Sequence, residues 1–75
     1  MHTLKRGQRV AIINQTIGGK FVLEGYAKIL CRVLGVDEQY RVQFESDKSV
    51  WGRFVDPAAQ ENPAAFIDRL NRAVA

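Results

Sequence analysis

A chain of 75 residues holds one domain and one small core, because a fold of this size buries only about 60% of the surface its unfolded form exposes. Hydrophobic residues make up 47% of the sequence and charged residues 25%, a balance that excludes intrinsic disorder. The single cysteine, Cys31, excludes an internal disulfide and has no Cys or His partner at metal-ligand spacing, which leaves oligomerisation as the remaining staple for a thin core.

The net charge of +3 is unevenly spread. Residues 1–36 carry Lys5, Arg6, Arg9, Lys20, Lys28 and Arg32 against Glu24 alone, a net of +5, whereas residues 37–75 carry five cations against seven acids, a net of −2. The segment Met1 to Arg6 is polar, and no apolar run approaches the length of a membrane span. The expectation is a cytoplasmic protein that does not engage a membrane.

After Gly7, the segment Gln8 to Ile13 is rich in branched residues suited to a pleated strand, with Val10 and Ile12 facing inward. Asn14 to Lys20 contains Gly18-Gly19 and reads as a loop. A second strand runs from Phe21 to about Leu34, and Gly25 within it marks a bulge or sharp bend. Alternation then assigns Ala27, Ile29, Cys31 and Val33 to the core and Tyr26, Lys28, Leu30 and Arg32 to an outer face.

Residues 35–38 form a turn. Gln39 to Glu45 alternates cleanly, with Tyr40, Val42 and Phe44 on one side and Arg41, Gln43 and Glu45 on the other. Ser46 to Ser49 is a polar hairpin turn, and Val50 to Val55 supplies a last strand that Asp56-Pro57 stops. The tail changes period: Asn62 caps a helix whose first position is Pro63, and Phe66, Ile67, Leu70 and Val74 recur at helical spacing. A helix this short is marginal alone, so its apolar stripe either closes the barrel or meets a partner. The expected architecture is a mainly β single domain spanning residues 1–75: a small antiparallel barrel of four to five strands over 4–57, then one C-terminal α-helix over 62–75.

The opening from Leu4 to Val10, the bent strand around Gly25, the hairpin at 46–49 and the Asp56-Pro57 link together resemble the small SH3-like barrels. Within that group, Gln39-Tyr40-Arg41-Val42 followed by Ser49-Val50 and an Ala-rich end is similar to plasmid-borne type II dihydrofolate reductases. The likeness implies an oligomeric pore lined by a Val-Gln-Ile-Tyr motif. At the corresponding place this chain has Val50-Trp51-Gly52-Arg53, so the reductase activity does not carry over. Other barrels of this architecture bind nucleic acid or peptides, and the fold alone does not choose between them.

No catalytic constellation is present. Cys31 lacks an activating base and reads as a small buried hydrophobe, and His2 is the only histidine. Gly18-Gly19-Lys20 lacks the upstream glycine and the following Ser or Thr of a phosphate loop, and Asp37-Glu38 reads as a solvated turn. The expectation is therefore a non-enzymatic module without a cofactor.

Lys5, Arg6, Arg9, Lys28, Arg32 and Arg53 would draw a nucleic acid or an acidic protein, Lys28 and Arg32 sharing one outward face at phosphate spacing. Tyr26 and Trp51 either stack on bases or cover the core beneath the helix. The alternative reading is a protein-interaction or assembly module, including self-association, in which Tyr40, Phe66 and Leu70 receive another chain.

Overall fold

The computed structural model describes residues 4–33, 35 and 39–74, without the side chain of Val74. The readings placed on His2, on Asp37-Glu38 and on the side chain of Val74 lie outside the described residues. Four strands, β1 (Arg9–Gln15), β2 (Phe21–Arg32), β3 (Gln39–Phe44) and β4 (Val50–Phe54), lead into a 3-10 turn at Pro57–Ala59 and a helix, α1 (Pro63–Val74). All pairings are antiparallel, in the order β1-β2-β3-β4. The mainly β architecture with one C-terminal helix is as the residue pattern predicts, but the sheet is curled and open instead of closed into a barrel.

Two slips in β2 produce the curl. The first leaves Glu24 as an extra residue, since Ile12 stands opposite Gly25 and Ile13 opposite Leu23. Gly25 adopts φ +157°, a conformation side-chain-bearing residues rarely take, and the Phe44 ring lies 3.7 Å from where its Cβ would be. The second slip lies between Ile29, opposite Val42, and Cys31, opposite Arg41.

A one-residue slip inverts every later side chain, and the second slip corrects two expectations. Cys31 is exposed, not buried. Arg32 pairs with the buried Tyr40, whereas Lys28 pairs with the outward Gln43, so Lys28 and Arg32 do not share a face.

The inner face gathers Val10 and Ile12 from β1, Ala27 and Ile29 from β2, and Tyr40, Val42 and Phe44 from β3, with Leu4 and Val55 closing the ends. Fully burying Val10, Ile12, Ile29, Val42 or Val55 contributes about 1.5–3 kcal/mol each. The lead-in continues the β1–β2 ladder: the Gly7 N–H donates to the Ile29 carbonyl (2.7 Å), and the Ile29 N–H donates to the Gln8 carbonyl (2.9 Å).

Asn62 caps α1 as its position before Pro63 predicts, its Oδ1 accepting from the Ala65 N–H at 3.2 Å. Phe66 and Leu70 turn toward Ala11, Ile13, Phe21 and Phe54 on the outer side of the sheet. Two side-chain amides then lock the C-terminal segment onto the strands. Asn71 accepts from the Phe21 N–H (2.7 Å) and donates to its carbonyl (3.0 Å). Gln60 does the same for Ala11, accepting at 2.6 Å and donating at 3.2 Å. Each amide imitates one residue of a neighbouring strand. Among the described residues, no helix is long and apolar enough to cross a membrane.

Candidate nucleic-acid interface

Directly opposed residues of an antiparallel pair point to the same side of a sheet, so the register locates each candidate side chain. Arg9 stands opposite Lys28 on the outer face, with Tyr26 two residues away on the same strand as Lys28. The lead-in carrying Lys5 and Arg6 is held beside this pair by the Gly7 and Gln8 bonds to Ile29. Arg6 and Arg32 both line an open pocket of about 650 Å³ at the end of the sheet, together with Leu4, Ile29, Cys31 and Tyr40. Arg9 and Lys28 thus share the outer face, Arg6 and Arg32 share the rim of that pocket, and the lead-in that carries Lys5 joins the two, a band of cations along the chain at one corner of the sheet.

Arg9, within this band, is already engaged. Its guanidinium grips Glu45 through two bonds, Nε to Oε2 at 2.6 Å and NH2 to Oε1 at 3.1 Å. It also lies over the Tyr26 ring, 4.0 Å from the centroid. The hydrogen bond from Arg9 holds the Glu45 carboxyl below its ordinary range and raises the arginine in turn. One face of Tyr26 is therefore covered.

Arg53 belongs elsewhere. It forms a forked pair with Glu24, both bonds 2.9 Å, in which each side chain is only 27% exposed. Its guanidinium lies 5.6 Å from the Phe44 ring centre and 5.5 Å from that of Trp51. Hydrogen bonding from Arg53 keeps the Glu24 carboxyl below its usual range, with burial opposing. Trp51 stands opposite Val42 on the inner side, whereas Tyr26 is on the outer side. The two rings do not share one stacking surface.

The three residues assigned to partner binding do not lie on one open surface. Tyr40 is buried in the core, and Phe66 and Leu70 are half-buried where the helix meets the sheet. Glu24, Glu45, Gln60 and Asn71 are the residues that pattern reading passes over. Only Glu24 carries a signal, its place beside Gly25 in a bulge. Among the described residues, no three His, Cys, Asp or Glu side chains converge into a metal-binding group. No protein-family model matches the chain, and comparison with curated proteins and with solved structures gives no significant match. Chemically, the band offers donors and positive charge to a polyanion.

Proposed function

We propose that the chain is a non-enzymatic binding module, acting in the cytoplasm, that holds the phosphate backbone of a nucleic acid on the band formed by Lys5, Arg6, Lys28 and Arg32, with Arg9 between them. The observation that carries this reading is the junction of Gly7 and Gln8 with Ile29, which brings the lead-in cations beside the Arg9–Lys28 pair. Sequence-independent binding follows from this chemistry, because phosphate contacts position a partner without reading its bases. We also propose a likeness to the small SH3-like domains in an open form, without the closed barrel; the lead-in strap, the doubly bent β2 and the β3–β4 hairpin support it. Gln60 on the edge of β1 then takes the place of a closing strand pair.

Titration of labelled single- and double-stranded oligonucleotides against the full chain tests the proposal. Four phosphate contacts on duplex predict about a hundredfold loss of affinity between about 50 and 200 mM salt. Replacing Arg6 and Lys28 together with Ala lowers affinity about equally for all sequences and reduces the salt slope by about two. No binding at low salt, or binding indifferent to salt, overturns the reading. Capture of an acidic peptide without any oligonucleotide binding reassigns the band to a protein partner.

A further inference from the structure

β4 is the last strand of the sheet, and its far edge is bare among the described residues. Backbone alternation shows which groups that edge presents. The Phe44 N–H donates to the Ser49 carbonyl, and the Val33 N–H donates to the Gln39 carbonyl. Trp51 and Arg53 therefore bond inward to β3, and Val50, Gly52 and Phe54 turn their N–H and C=O groups outward. The Gly52 carbonyl, which accepts from the neighbouring Arg53 guanidinium at 2.9 Å, fits this outward direction.

The side chains of this strand are unusually apolar for an edge: Val50 is 41% exposed, Trp51 53% and Phe54 64%. Natural edges are ordinarily blunted by charge, proline or a covering segment. The only charge on β4 is Arg53, and Glu24 neutralises it.

Gly52 sits at the middle of the strand. Its φ is not positive, and a Cβ built on it meets a single side-chain atom, Gln39 Nε2, at an ordinary 3.9 Å. Nothing in the monomer requires glycine there. Inside a strand a glycine marks a bulge, a tight bend or the close approach of a ligand or another backbone, and the β3–β4 register runs through Gly52 without a shift.

We infer that β4 pairs antiparallel with β4 of a second copy of this chain, with Gly52 facing Gly52 on a twofold axis. The strand is self-complementary in that register. Val50 falls opposite the second copy's Phe54 on the outer face, an apolar pair of the kind that stabilises sheets. Trp51 falls opposite the second copy's Arg53 on the inner face, extending the guanidinium–indole contact each chain already makes. The outward groups of Val50, Gly52 and Phe54 all find partners, and no unpaired charge crosses the axis. The result is one continuous eight-stranded sheet of isologous symmetry.

Sedimentation equilibrium on the full chain tests this. The expected result is a concentration-dependent dimer that two variants weaken by at least about tenfold. Gly52→Pro deletes an N–H that the monomer does not use, and Val50→Lys sets a charge opposite Phe54. Circular dichroism verifies that each variant keeps its fold, and Val50→Lys decides the matter if the proline does not. Slowed amide exchange at Val50, Gly52 and Phe54 with rising concentration locates the contact. A chain that remains monomeric up to about 1 mM, or a dimer indifferent to the folded variants, overturns the inference, the first result leaving the edge bare or to a different polypeptide.

Discussion

The two outer strands of the sheet face the same physical problem and meet it differently. β1 leaves the Ala11 N–H and C=O pointing away from β2, and the chain returns after β4, through the buried Val55 and the turn at Pro57–Ala59, to lay the Gln60 amide on both groups. Gln60 is itself steadied by donating to the Asp56 carbonyl at 3.1 Å. Among the described residues β4 has no such cover, and it carries exposed Val50, Trp51 and Phe54 instead. One edge is sealed by the chain's own side chain, and the other has the features of a surface shaped for a strand. The contrast teaches that one well-placed amide can satisfy the outward groups of a single residue, Ala11, on an edge that no strand pairs.

The change expected to disturb this contrast most is Gln60→Ala. It leaves the backbone groups of buried Ala11 without partners, and the unfolding free energy falls by about 2–3 kcal/mol in urea denaturation. It also bares β1, so light scattering detects aggregation that the parent chain does not show. A loss under about 0.5 kcal/mol would mean that the seal is ornamental and water replaces it.

Asn71→Ala comes next, at about 1–2 kcal/mol. Its amide ties α1 to the half-buried start of β2, so amide exchange accelerates first at Phe21 and in the helix, not in β3. Uniform acceleration across the sheet would contradict the local role.

The Glu24–Arg53 pair links the bulge of β2 to β4 and gives a smaller, pH-dependent effect. The folded carboxyl titrates below its ordinary range, so the pair's contribution is complete above the unfolded value of about 4.3 and is lost as the pH falls through the depressed folded value. With both partners partly exposed, the expected size is under about 1 kcal/mol. Glu24→Gln flattens that part of the stability curve. An unchanged acid limb would remove the pair from the account of how the curl is held.

Arg9→Ala should alter stability least, because its contact with Glu45 is a solvated surface pair. Any effect it has is on the salt slope of oligonucleotide binding, and is smaller than that of Arg6 or Lys28 because Glu45 already holds its guanidinium. A large change in unfolding midpoint with no change in slope would reverse that assignment.

Much of this fold is legible in the residues alone. The alternation from Gln39 to Glu45 places Tyr40, Val42 and Phe44 inward, Asn62 before Pro63 marks the start of the helix, and Gly25 announces the first bend of β2. The second bend has no such marker. Ile29-Leu30-Cys31 contains neither glycine nor proline, so an unbroken alternation puts Cys31 inside and Arg32 beside Lys28, and the slip moves both. The candidate site is legible as a set of cations but not as a set of neighbours. Arg53 leaves that set for Glu24, 29 residues away, and Tyr26 and Trp51 separate to opposite sides of the sheet.

By itself, the order of residues determined the strands, their inward sides up to the second slip, the helix with its cap, and the concentration of positive charge in the first half. These follow from local geometry, a period of two along a strand and of 3.6 along a helix, which needs no knowledge of distant partners. Tertiary structure alone decided that the sheet stays open, that Gln60 and Asn71 reach strand groups 49 and 50 residues away, and that β1 is covered at Ala11 where β4, among the described residues, is bare. The reason is that a single slipped residue reverses a whole face, and the path by which the chain returns selects which unpaired edge it covers.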